Sequence, residues 1–434
     1  MDSLPVELLR LVYQHCDVDS VRNLRLVTTT LAQVGYDYLI LPHFTALAWR
    51  DDVKRLHSIS SHQRLRHTVQ AVTVNLSEVD EYNAQHASYF QHYLQDPEEQ
   101  SAVLAEAWLQ YADIVKSRDE VGPLHEQATA LSEAFGRLPN LQELEVTFAR
   151  CPFDIEVLKD AFKVPSCRKM DYTRACKDLT TIVSAMQRTE LTSFSVERLP
   201  LEVFRGPADR KLWADSRDVF AGLSRLELTI DCSNVNLPAT KFKAIHGLGN
   251  ILRFSGNVSH LTLRFQNYNS RQTKFLLWLE ELVGDFVFQN LTDFTLEGVL
   301  CDEAELRGFI LRHSATLERL RLGGRGLAKS FERSMGGIHL CRGSFRSLFA
   351  SLRGRMPRLQ RVHLEGDFQC ETLEANSNEN YRFHAITDDD WSPLPAKTRL
   401  PANQQTIDGS EFERFLIEGG NYPAAARGPG ISAA

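Results

Sequence analysis

The segment Gly323-Gly324-Arg325-Gly326-Leu327-Ala328-Lys329-Ser330 comes within one residue of the phosphate-binding pattern G-x-x-x-x-G-K-S. That pattern needs its second glycine so that the backbone can approach a phosphate closely, and Ala328 stands there instead. Gly336 and Gly337 follow in place of a clear helix, which removes the dipole that would hold the anion. A loop between repeated units is the plainer expectation. His57, His62 and His67 recur every five residues and so point from diverging faces of a helix, unlike the i, i+4 pair of a zinc site. Cys167 and Cys176 lack paired histidines at ligand spacing, and no Gly-x-Ser-x-Gly elbow is present. The run Asp388-Asp389-Asp390 reads as solvated loop. These residues predict a non-catalytic chain with no cofactor and no metal.

Charge is a different matter. Residues 318–364 hold eleven Lys and Arg against two Glu, whereas residues 365–434 hold twelve Asp and Glu against five Lys and Arg. Three readings of the basic stretch stand side by side: a solvated helix face, a partner for the acidic C-terminal region, or a docking patch for an acidic or phosphorylated protein. Arginine's forked donors suit the last, since they match carboxylate and phosphate.

Those charges need elements to position them. The pattern apolar-x-x-apolar-x-apolar occurs eight times, beginning at Val69, Leu141, Leu191, Leu223, Val258, Leu291, Leu317 and Leu359. Its last two apolar positions alternate with polar residues, as in a strand buried on one face. Helical stretches lie between, among them Phe275-Leu276-Leu277-Trp278-Leu279 with Leu282, then Leu306 to Leu311, then Phe345 to Leu352. Strand–helix alternation predicts an α/β fold with parallel strands on one side and helices on the other. Successive patterns are 72, 50, 32, 35, 33, 26 and 42 residues apart, so the array is expected to be irregular. Positions three, five and seven of each pattern should face away from the core. In the early strands they include Glu143, Glu145 and Glu197. In the later ones they include His260, Arg264, Arg319, Arg321, Arg361 and His363, the candidate partner-binding set.

Residues 3–41 read as three short helices. Pro5 suits a first helical turn, Leu4, Leu8, Leu9 and Val12 follow at helical spacing, and Asp17 to Ser20 offer a cap before Val21, Leu24 and Val27. About 40 residues bury too little surface to be comfortably stable alone, so a partner is expected to cover what is left over. Leu4-Pro5-Val6-Glu7-Leu8-Leu9, then Leu24-Arg25-Leu26-Val27 and Leu31, closely resemble the F-box. The repeats, best seen over residues 291–324, look like the leucine-rich repeats of many fungal F-box proteins. The resemblance implies a subunit of an SCF-type ubiquitin ligase. The F-box would bind the small ligase adaptor, and through it a cullin, with Leu4, Pro5, Leu8, Leu24 and Val27 in or beneath the interface. The repeats would hold a protein substrate. A non-degradative repeat scaffold is the alternative.

The implied division is an F-box over 1–45, a linker helix over 46–66, a leucine-rich-repeat-like solenoid over 67–370 with a helical insertion near 77–135, and a capping segment and tail over 371–434. The solenoid would carry its strands on a concave face and its helices outside. The remaining numbers fit an intracellular protein. At 434 residues, the chain exceeds the roughly 250–300 at which single cores stop growing. A formal charge of −7 speaks against a dedicated nucleic-acid binder. No stretch nears the ~20 apolar residues that span a bilayer, and the N-terminus lacks a signal-peptide pattern. Eight scattered cysteines without a Cys-x-x-Cys pair suit a reducing compartment, cytoplasmic or nuclear.

Overall fold

The computed structural model describes residues 4–47, 49–79, 96–151, 168–205, 207–234, 238–270, 273–328, 333–371, 380–383 and 409–423. Three helices come first: α1 (Val6–Gln14), α2 (Val18–Arg25) and α3 (Thr29–Val34). Their starts follow from local chemistry. Pro5 precedes α1, the Asp17 carboxylate accepts from the Ser20 N–H at 2.7 Å, and the Thr28 hydroxyl accepts from the Leu31 N–H at 3.2 Å. Thr28, Thr29 and Thr30 thus cap and open α3.

The strands are β1 (His43–Leu47), β2 (Ala71–Asn75), β3 (Glu78–Val79), β4 (Glu143–Thr147), β5 (Arg168–Lys169), β6 (Ser193–Pro200), β7 (Arg225–Asp231), β8 (His260–Gln266), β9 (Phe275–Leu276), β10 (Asp293–Glu297), β11 (Val299–Asp302), β12 (Arg319–Gly323), β13 (His339–Arg342), β14 (Arg361–Cys370) and β15 (Tyr381–Phe383). The fold is α/β, built on a large parallel sheet. The order β1-β2-β4-β6-β7-β8-β10-β12-β14 keeps neighbours in the chain as neighbours in space. All eight sequence patterns fall on strands of this series.

A repeated bond sets the register. The carbonyl just before each strand accepts two N–H groups from the start of the next: Ser224 receives Ser259 and His260, Ser259 receives Thr292 and Asp293, Thr292 receives Glu318 and Arg319. The apolar positions then form continuous rows, such as Phe194, Leu226, Leu261, Phe294, Leu320 and Val362, all buried. These rows face helices that include Asp52–Ser61, Ala128–Arg137, Tyr172–Met186, Pro238–Phe254, Glu303–Arg312 and Phe345–Leu352, and together they make one long core. The alternate residues face the other way.

Two expectations need correcting, and one set of strands was unforeseen. The run from Phe275 is not a helix. Phe275–Leu276 is strand β9, paired parallel with β11, and only Leu279–Leu282 is helical. An unbroken apolar run has no period to distinguish the two states, and Phe275 instead stacks on Phe265 at 5.2 Å. A second parallel set, β9-β11-β13, joins the far end of β14 and had no pattern to announce it. Strand β1 crosses the expected boundary at residue 45, because two buried residues, Phe44 and Ala46, are too few to reveal a strand. The helix Pro97–Val121 lies in the expected insertion, between β2 and β4. At the other end, the helix Ser410–Glu418 docks Phe412, Phe415 and Leu416 on the core.

Candidate functional site

The N-terminal helices close a small core of their own from Leu9, Tyr13, Val21 and Leu31. The Tyr13 hydroxyl donates to the Leu31 carbonyl at 2.9 Å, and its ring stacks on Tyr38 at 5.4 Å. Gly35 is needed there because a Cβ would lie 2.5 Å from the Tyr13 ring. The module sits firmly on the first strand–helix unit. Arg64 pairs with Asp37 at 2.6 Å, the Tyr36 hydroxyl meets His62 at 2.7 Å, and Arg25 and Arg64 both lie on the Tyr36 ring.

What the module does not bury matters more. Leu4, Leu8, Leu11, Leu26 and Val27 are exposed, Leu26 to 85% and Val27 to 64%. Single exposed apolar residues need no explanation, but so many on one small module make an apolar patch that is a candidate interaction surface. Of the candidate adaptor-binding residues, Leu4, Pro5, Leu8 and Val27 lie at the surface, and Leu24 packs beneath on the module's core. Val6, Leu11, Val12 and Leu26 belong to the same exposed set and were missed. For Val6, Leu11 and Val12 the signal was the apolar spacing of α1 itself; Leu26 follows the end of α2.

The second surface is the open face of the main sheet. Its register sets polar residues in rows. One runs Glu143, Ser193, Arg225, His260, Asp293, Arg319, Arg361, and the next runs Glu145, Ser195, Glu227, Thr262, Thr295, Arg321, His363. All six candidate partner-binding residues stand on this face. The arginines expected to need an anion already have one. His260 and Arg319 share Asp293 at 3.2 Å each, Arg264 meets Glu297 at 3.3 Å, Arg321 meets Glu365 at 3.0 Å, and Arg361 reaches Glu413 of the C-terminal helix at 3.5 Å. His363 lies 3.6 Å from Glu365. Asp293, Glu297 and Glu365 occupy positions three and seven of the same sequence pattern, so uniform use of that rule would have found them.

Two of these carboxylates are deeply buried and behave differently. Burial pushes Glu297 up, against the pull of Arg264. Burial also pushes on Glu365, but contact with His363, a 2.6 Å bond from Ser334 and the nearby Arg321 bring its carboxyl below the ordinary range. Glu297 also answers for the glycine loop. Its Oε1 accepts the Gly326 N–H at 2.7 Å, and a Cβ on Gly324 would fall 2.2 Å from Oε2. The loop cradles a carboxylate of its own chain where a nucleotide loop would cradle phosphate; Lys329 and Ser330 lie outside the described residues.

The three spaced histidines go separate ways: His57 to Glu133, His62 to Tyr36, His67 to Arg66. Among the described residues, no group of three or more His, Cys, Asp or Glu could hold a metal ion. Cys167 and Asp388-Asp389-Asp390 lie outside them. No described helix is long and apolar enough to cross a membrane. An open cleft of about 590 Å³ lies over β4, β6, β7 and β8, lined among others by Glu145, Arg150, Ser195, Glu197, Glu227 and Arg264.

No protein-family model matches this chain, and no curated protein is significantly similar to it. The functional reading therefore rests on these two surfaces and on the residues that form them.

Proposed function

We propose that the chain is a non-catalytic, substrate-recruiting subunit of an SCF-type, cullin-based ubiquitin ligase, acting in the cytoplasm, the nucleus or both. Its F-box-like module binds the small ligase adaptor. The strand–helix array, taken as an irregular leucine-rich-repeat solenoid, offers its open sheet face to a partner protein. One observation carries the reading. The module closes a core from Leu9, Tyr13, Val21 and Leu31, and outside that core Leu4, Leu8 and Val27 stand exposed at the positions where the F-box resemblance puts the adaptor.

The energetics are adequate for a partner. Leu8 and Val27 are already about half covered, at 46% and 64% exposure, so covering the rest of both is worth about 1.5–3 kcal/mol, and an aspartate in their place would be buried without a counter-charge. Leu8 and Val27 test this better than Leu24, which packs on the module's own core. The Leu8→Asp, Val27→Asp double variant should lose co-purifying adaptor and cullin while keeping the wild-type unfolding transition of the array. Full retention of both subunits by a folded double variant would refute the ligase reading and leave the repeat scaffold.

A further inference from the structure

We infer that the open sheet face over β4, β6 and β7 takes an extended, lysine- or arginine-rich segment of the partner protein. This rests on the reading of that face as the partner-binding surface, and it names the chemistry that surface selects. The face divides by charge balance. On the later strands of this face Asp293, Glu297 and Glu365 all have arginine partners, and Glu413 of the C-terminal helix meets Arg361. An incoming acidic segment would have to displace these carboxylates, two of which are almost wholly buried.

The earlier strands are not balanced. Glu143, Glu145, Glu197 and Glu227 have two arginine partners, Arg150 on Glu145 and Arg225 on Glu227, while Arg264, which also lines the cleft, is held by Glu297. Glu143 is exposed and has no ion-pair partner among the described residues. Glu197 is met by the Thr147 hydroxyl at 2.6 Å and by no described arginine. The surplus is two carboxylates, and three of the four line the cleft over these strands.

The spacing favours a chain over a small molecule. Glu145 and Glu227 lie in one row, on either side of Ser195. Strands stand about 4.8 Å apart, so these carboxylates are two strand spacings apart, a span that the long side chains of lysines at alternate positions of an extended peptide, about 6.6 Å apart on one of its faces, can bridge. Charges on an open face are screened by salt, so binding should weaken as ionic strength rises.

The test uses the full chain and labelled peptides of alternating Lys-Ser, Glu-Ser and phosphoserine-Gly sequence, followed by fluorescence anisotropy. The Lys-Ser peptide should bind, and the Glu143→Gln, Glu197→Gln, Glu227→Gln variant should weaken it by about tenfold or more. A charge-matched control, Glu98→Gln, Glu190→Gln, Asp218→Asn, removes exposed acids elsewhere and should change affinity less than twofold. Should the first triple variant unfold, Glu143→Gln alone, which breaks no bond, must still weaken binding more than any single control change. No binding of the Lys-Ser peptide, equal weakening by both triple variants, or equal affinity for the acidic peptides would overturn the inference. Adaptor co-purification from the same preparations should be unaffected, and its absence from the wild type would count against the ligase reading alone.

Discussion

His313 shows at the residue scale how a histidine outside the candidate set becomes structural. It is 1% exposed, its Nδ1 faces the Phe309 carbonyl at 2.8 Å, and its Nε2 faces the Phe288 N–H at 3.0 Å. Nε2 can accept from Phe288 only while the ring is neutral. Burial holds its pKa below the ordinary histidine value. The unfolded chain therefore binds this proton first, and the stability tied to His313 is complete above the unfolded pKa, about 6.5, and lost as pH falls below it. Chemical denaturation at pH 7.5 and 5.5 should show the wild type losing more stability on acidification than His313→Gln, although the variant is less stable at pH 7.5. Glu365 acts in the same direction at more acidic pH, because its folded carboxyl lies below its ordinary value. None of this was legible in the sequence. His313 stands in Leu311-Arg312-His313-Ser314 with nothing to distinguish it from a surface residue, since its partners come from a distant turn and from its own helix. The late arginines were legible as a face but not as ion pairs, because the same positions of the pattern carry both signs of charge and only the register of neighbouring strands pairs them.

At the scale of elements, periodicity was reliable wherever one face is buried and the other is not. Every apolar-x-x-apolar-x-apolar pattern became a strand because its two faces meet different surroundings. Phe275-Leu276-Leu277-Trp278-Leu279 misled because every residue of the run is apolar, so its alternation of buried and half-buried positions leaves no trace in the sequence. The register shift in β6 was equally hidden. Arg198 there adopts a left-handed backbone (φ 63°), with its guanidinium 3.1 Å from buried Asp231 and stacked 4.0 Å from the Tyr268 ring. Only the fold brings those partners together. The C-terminal helix was legible from Phe412, Phe415 and Leu416, and its work is to cover the last unit. Phe412 is fully buried against the rings of Phe349, Tyr381, Phe383 and Tyr422. Phe412→Ala should cost about 3–5 kcal/mol. Hydrogen exchange should locate that loss at β14 and β15, with the early strands unchanged, because each unit of such an array leans mainly on its neighbours.

At the scale of the molecule, the two surfaces have different chemistry and sit on parts that fold differently. The N-terminal module presents an apolar face that water disfavours, which suits a permanent partner. The sheet presents charged and hydroxyl groups that are content in water, which suits a partner that comes and goes. The clamp of Asp37, Tyr36, His62 and Arg64 ties the two together, so a protein held on the sheet would keep a fixed relation to whatever the module binds. The most direct test of the central claim is hydrogen exchange on the full chain with and without purified ligase adaptor. Protection should appear over α1 and the end of α2, including Leu8, Leu11 and Leu26 to Thr28, with the strands of the main sheet unchanged. No protection at those residues in the presence of excess adaptor, or protection confined to the sheet, would contradict the account.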